Sequence, residues 1–119
     1  MKKILIIDDE VSLRETVAEL LMVIGFDVFE AENGNEGLKK VQEIDPDLII
    51  CDIMMPVLDG YGFMETHIKS EFSKIPVLLL SAKVEKEDKE KGLDLGAKAY
   101  ISKPFVFSEL KSIVDFYTQ

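Results

Sequence analysis

The chain has 119 residues, 47% of them hydrophobic, and a formal net charge of −9. That suits one compact domain over residues 1–119 with a core of its own, and it excludes a disordered chain. The acidic balance argues against direct nucleic-acid binding and favours a basic partner surface, the apolar runs are too short to span a membrane, and a single cysteine, Cys51, excludes an internal disulfide framework.

The N-terminus MKKILIIDDE is charged and then apolar, as in a signal peptide. Its apolar stretch is too short, however, and acids rather than small residues follow it. The expected location is the cytoplasm.

Residues 3–7 read as a buried strand, a continuous Ile/Leu run that ends in Asp8-Asp9. A helix is predicted to start at Ser12, with Glu15 completing a capping box. Leu13, Val17, Leu20, Leu21 and Ile24 share one of its faces, and Gly25 ends it. Residues 26–30 form a short second strand and Asn33-Gly34 a turn. The next helix, 35–44, is weakened by Gly37 by roughly 1 kcal/mol relative to Ala and is broken by Asp45-Pro46.

Residues 47–52 are the third strand, ending in Asp52. Pro56 and Asp59-Gly60 mark the loop after it, and a helix over 61–70 follows. Pro76 opens the fourth strand, 77–80, which ends at Ser81. The helix over 85–95 is almost all charge, with a thin apolar face of Val84, Leu93 and Leu95, so it is expected to be the loosest helix. Residues 98–101 are the fifth strand, with Lys103-Pro104 at its end. The last helix, 107–117, turns Val106, Leu110, Ile113 and Tyr117 inward. Five such strand–helix units make an α/β fold with a doubly wound parallel sheet.

Function in such sheets gathers outside the carboxyl ends of the strands. Four strand ends here supply polar groups: Asp8-Asp9, Asp52, Ser81 and Lys103. Clustered carboxylates repel and raise one another's pKa. A hard divalent cation such as Mg²⁺ would offset that repulsion. One carboxylate could act as a nucleophile, and a hydroxyl and an ammonium could hold an incoming phosphoryl group.

The stretches IIDDE (6–10), PDLIICDIMMPVLDG (46–60), PVLLLSA (76–82) and GAKAYISKPF (96–105) together resemble the response-regulator receiver domains of two-component signalling, of the chemotaxis-regulator type. The resemblance implies a flavodoxin-like sheet in the order 2-1-3-4-5. It implies that Asp52 accepts a phosphoryl group from the phosphohistidine of a sensor histidine kinase or a histidine phosphotransfer protein. Asp8, Asp9, Asp52 and the Met54 carbonyl would hold Mg²⁺. Ser81 and Lys103 would bind the phosphoryl oxygens, the Lys103–Pro104 bond would be cis, and Ser81 and Tyr100 would form the switch. Output would run through the face made by residues 83–119.

Ser81 stands where Thr is commoner, a substitution within the family's range. Met54 and Lys83 sit where such domains tune phosphoryl lifetime, and neither is a carboxylate or amide that would orient a water; a long-lived phosphoryl group is expected. Lys98-Ala99 stands where one DNA-binding subfamily often carries acids, which counts against that subfamily's dimer salt bridges. A homodimer on phosphorylation stays open.

Plainer readings exist for each residue. Asp8-Asp9 could cap a helix, Ser81 could be an N-cap, Lys103 a solvated lysine, and Tyr100 a half-buried strand aromatic with a wet hydroxyl. Cys51 reads as a small core residue pointing opposite to Asp52. His67, the lone histidine, reads as a surface residue, and Phe107 and Phe116 as exposed apolars. A magnesium-dependent phosphohydrolase would need a second acid two residues after its nucleophile, where Met54 stands. A flavodoxin-like cofactor binder would need a Ser/Thr/Gly-rich loop after the first strand, where Asp8-Asp9-Glu10 would repel phosphate. The chain is therefore expected to be no enzyme beyond its own modification. An unphosphorylated scaffold would not need the full acceptor set.

Overall fold

Each strand of the sheet is short and each is followed by a helix, and the three inner strands are hydrophobic on both faces. The computed structural model describes residues 1–82 and 85–119. The strands are β1 (Lys3–Ile7), β2 (Asp27–Ala31), β3 (Leu48–Asp52), β4 (Val77–Ser81) and β5 (Ala99–Ser102). The helices are α1 (Val11–Val23), α2 (Gly34–Ile44), α3 (Gly60–His67), α4 (Lys86–Asp94) and α5 (Phe107–Tyr117). The strands pair in parallel in the order β2-β1-β3-β4-β5, the doubly wound sheet expected from the alternating pattern.

Successive strand residues point to opposite faces, which divides the core in two. Leu5, Ile7, Ile49, Cys51 and Leu79 pack with Val41, Phe63 and Met64 on one side. Ile4, Ile6, Leu48, Ile50, Leu78 and Leu80 pack with Val17, Leu21, Leu110 and Val114 on the other. Both faces are covered, which is why β1, β3 and β4 lack polar alternation.

Several local readings are corrected. Helix α1 starts at Val11, not Ser12, and its N-cap is Glu10, with no side-chain cap and therefore no Ser12–Glu15 capping box. The Asp8 carboxylate accepts the Glu10 N–H at 2.9 Å, so the chain turns into the helix sooner. Leu20 and Ile24 stay partly exposed, and Ala18 takes the core position beside Val17 and Leu21. Asn33 is the N-cap of α2 rather than part of a free turn, its side chain accepting the Glu36 N–H at 2.9 Å. Helix α3 stops at His67 because the Ser70 hydroxyl donates to the His67 carbonyl and also accepts the Phe72 N–H. In α5, Val106 is the exposed N-cap, and Val114 joins Leu110 in the core.

Helix α4 rests on the sheet through Gly92, its one buried residue. A Cβ there would lie 2.9 Å from the Leu79 Cδ1 and 3.3 Å from the Tyr100 ring, so a side chain there would press on both. Leu93, expected inward, is exposed, while Leu95 packs against the core. Val84, the other apolar residue expected on this face, lies outside the described residues, as does Lys83.

His67 is buried, not a surface residue. It lies on the same helical stripe as Phe63, with the rings stacked at 5.5 Å. Nε2 lies 3.0 Å from the Ile75 carbonyl, which only accepts, so Nε2 carries the proton. Nδ1 is left buried with no partner among the described residues. Burial lowers the His67 pKa, more than the Ile75 carbonyl raises it. Below the unfolded value of about 6.5 the unfolded chain therefore takes a proton that the native state resists, and stability falls as pH falls. His67→Gln should remove this slope. In urea titrations, wild type should lose stability relative to the variant from about pH 7 to pH 5, by at most about 1.4 kcal/mol per pH unit. Parallel curves would show that His67 does not titrate with folding.

Val57 has φ +71°, a left-handed backbone that a β-branched residue rarely takes. It is three-quarters exposed, so its side chain contributes little burial. Val57→Asn should raise the urea unfolding free energy by about 1 kcal/mol, since Asn tolerates this conformation. A loss of stability would mean that the loop tolerates Val57 for a packing reason.

Candidate functional site

The strand register brings the chemistry together. Ile7 of β1 is level with Cys51 of β3, so Asp8 comes level with Asp52. Asp52 is level with Leu80, which places Ser81 one residue beyond, and Ser81 is level with Ser102, one residue before Lys103. All lie at the carboxyl edge of the sheet. Gly60 holds the loop after β3 tight beneath this edge. Its N–H donates to the Ile53 carbonyl at 2.9 Å, and a Cβ there would lie 2.6 Å from the Asp52 carbonyl oxygen and 2.8 Å from the Ile53 Cα. Only glycine fits against that backbone.

Ligand oxygens of Asp8, Asp9 and Asp52 lie within 4.8 Å of one another. Lys103 Nζ sits 3.1 Å from Asp8 Oδ2, 3.3 Å from Asp52 Oδ1 and 3.7 Å from Glu10 Oε2. The Lys103–Pro104 peptide is cis, and the Lys103 N–H donates to the Ser81 carbonyl at 2.8 Å. Asp8 and Asp52 are buried and Asp9 is exposed. Above them opens a cavity of about 430 Å³ lined by Asp9, Glu10, Asp52, Met54, Ala82 and Lys103.

Burial raises the Asp52 pKa to about 6, with Asp8 and Asp9 adding to the rise and Lys103 opposing it. Burial alone would lower the Lys103 pKa, but the charges of Asp8 and Asp52 outweigh it and leave it raised. Three carboxylates around one ammonium leave negative charge uncompensated, and the donors are all hard oxygens. That set fits a small divalent cation such as Mg²⁺.

Other singled-out residues stand further off. The Ser81 side chain is fully buried at the end of β4 and is not part of the cavity wall. Tyr100 is half-buried against the core, next to Gly92 of α4. Beside it, the Tyr61 hydroxyl donates to the Asp88 carbonyl of α4, and Lys91 lies 4.2 Å over the Tyr61 ring. Burial and the neighbouring Tyr100 push the Tyr61 pKa up to about 12. Cys51 packs opposite to Asp52 as expected, Phe107 is half-buried against the core, and Phe116 is exposed.

Arg14 was not singled out by the sequence. It donates to the Asp8 carbonyl at 2.7 Å and to Glu30 at 2.8 Å. Its signal in the sequence is only its place, one helical turn after Asp8-Asp9-Glu10.

No helix among the described residues is long and apolar enough to cross a membrane. The chain is 42% identical over 111 residues to a probable transcriptional regulator, ycf27, of Porphyridium aerugineum, covering 93% of this chain and 45% of that protein. It is 42% identical over 113 residues to the alkaline phosphatase synthesis transcriptional regulatory protein PhoP of Bacillus subtilis (strain 168), covering 95% and 47%. The chain thus spans about half the length of the curated relatives it matches. Among solved structures, the chemotaxis protein CheY4 of Vibrio cholerae superposes with a TM-score of 0.91 at 33% identity, covering 98% of each chain. The receiver domain of Francisella response regulator 1452 gives a TM-score of 0.94 at 31% identity, covering 99% and 97%. The sheet order and helix placement are those of a flavodoxin-like α/β fold. The family model for the response regulator receiver domain matches residues 4–115, and the chain belongs to that family.

Proposed function

We propose that this domain is a phosphorylation-driven signalling switch, with Asp52 as the phosphoryl acceptor. The observation that best supports this reading is Lys103 Nζ bridging Asp8 and Asp52 at the mouth of an open acidic cavity. Phosphoryl transfer depends on positioning and charge neutralisation more than on covalent chemistry, and the cavity wall offers both.

The donor would be a phosphohistidine of a sensor histidine kinase or a histidine phosphotransfer protein. An Asp52 oxygen attacks phosphorus, the bond from phosphorus to the histidine nitrogen breaks, and the imidazole leaves with its electron pair and takes a proton. Lys103 and the Ser81 hydroxyl would hold the phosphoryl oxygens. Asp8, Asp9, Asp52 and the Met54 carbonyl would hold Mg²⁺, which supplies positive charge against the phosphoryl oxygens. The bound group is an acyl phosphate that water later removes, so the domain modifies only itself. Ser81 and Tyr100 would carry the change to α4, β5 and α5, and so to an output partner on the face of residues 83–119. The cytoplasm, where kinase and output meet, is the expected compartment.

Incubation of the wild-type chain with acetyl phosphate and Mg²⁺ should add a single phosphoryl group to the intact mass. A chain that binds Mg²⁺ yet takes no phosphoryl group, either from acetyl phosphate or from a phosphorylated histidine kinase, would sink the proposal. Mg²⁺ at ten times its Kd should stabilise the fold by about 1.4 kcal/mol. The accompanying rise in melting temperature should vanish in Asp9→Ala and Asp52→Ala. An unchanged wild-type melting curve would remove the metal site.

A further inference from the structure

Asp8 and Asp9 sit on the corner between β1 and α1, so their carboxylates converge only if the backbone of that corner is fixed. The Asp8 N–H donates to the Ala31 carbonyl of β2 at 3.0 Å. The Asp8 carbonyl accepts from the Arg14 guanidinium at 2.7 Å. Arg14 is itself held by Glu30 of β2, Nε to Oε1 at 2.8 Å, with the Arg14 side chain only 13% exposed. The fork geometry of a guanidinium lets one side chain serve both acceptors at once. Neither Arg14 nor Glu30 lines the acidic cavity.

We infer that Arg14, oriented by Glu30, is a positioning residue that sets the divalent-cation affinity of the acidic site through the Asp8 backbone. This rests on the reading of that site as Mg²⁺-dependent. Groups that orient ligands without touching the metal typically matter by ten- to a hundredfold in affinity. Asp8 already has both carboxylate oxygens engaged, Oδ1 by the Glu10 N–H and Oδ2 by Lys103. Its remaining freedom is movement of the main chain, and that is what Arg14 restrains.

The test is Mg²⁺ titration by calorimetry, at a temperature where every variant is fully folded, with urea stability in EDTA measured alongside. Arg14→Met should weaken Mg²⁺ binding by about tenfold or more. Arg14→Lys, a point charge unable to reach both acceptors, should not restore it. Glu30→Gln should weaken binding less, and should add nothing in the Arg14→Met background. Leu110→Ala, on the face of α5 that packs against the sheet, should lose stability but keep its Mg²⁺ affinity. If Asp9→Ala loses Mg²⁺ binding and Arg14→Met binds as wild type does, the inference is overturned and the metal site stands. If Leu110→Ala weakens binding as much as Arg14→Met, the effect is general destabilisation and the inference is again overturned. A wild type that binds no Mg²⁺ overturns both.

Discussion

Asp52→Ala, treated with acetyl phosphate and Mg²⁺ beside the wild type, should retain the mass of the unmodified chain. The three acids are not equivalent. Asp8 has both oxygens committed and does not line the cavity. Asp9 lines it but is exposed. Asp52 alone is buried, lines the cavity and lies beside Lys103. Its reactivity should also follow its charge. With a pKa of about 6, most Asp52 is ionised near pH 7 and roughly a tenth near pH 5. At limiting Mg²⁺ the initial rate of labelling should therefore drop about tenfold between those values. An adduct on Asp52→Ala would place the acceptor elsewhere, and a flat rate would detach the chemistry from this carboxyl.

Lys103→Met should have the second-largest effect, and on stability as well as on transfer. The lysine is the cation shared by two buried carboxylates, whose side chains are 1% and 5% exposed. Removing one partner of a buried charge cluster costs about 3–5 kcal/mol while the others stay ionised. Asp52 has an escape, because its pKa is already raised and would rise further without the ammonium. A carboxyl whose folded pKa exceeds its unfolded one gives the native state the extra proton between the two values, so its contribution declines as pH rises through that window. In EDTA, Lys103→Met should thus lose about 3 kcal/mol near pH 7.5 and recover part of it near pH 5. Urea titrations at both values would show it. A small, pH-independent loss would return Lys103 to an ordinary solvated lysine. With Mg²⁺ in place of EDTA, phosphoryl transfer should fall sharply at either pH, since the neutral side chain no longer balances the incoming oxygens.

The inner strands were legible because a fully buried parallel strand needs apolar residues on both faces, and all but β2 led into a group of distinctive chemistry. Asp8, Asp52, Ser81 and Lys103 could be placed at one edge once the strands were parallel. What failed were decisions made by contacts that lie outside the local helix pattern. The start of α1 depended on the Asp8 carboxylate reaching the Glu10 N–H, which a local Ser-x-x-Glu pattern cannot register. The burial of His67 depended on the Ile75 carbonyl, supplied by the far end of the next loop. Its spacing from Phe63 was the available clue, outweighed by the polarity of the side chain. Arg14 looked like one more charged helix residue because its partners are on the corner after β1 and on β2.

Cys51 and Asp52 are neighbours in sequence, and both are nucleophiles in principle. Burial, followed by the negative charge of Asp52, raises the thiol pKa well above its ordinary value. The thiol is fully buried and donates to the Asp52 carbonyl at 3.3 Å. Strand alternation therefore acts as a chemical sorter. One step along the chain separates a carboxylate that lines an open cavity from a thiol closed to oxidants and electrophiles for as long as the domain is folded. The proposed acceptor can be reactive without its neighbour becoming a liability.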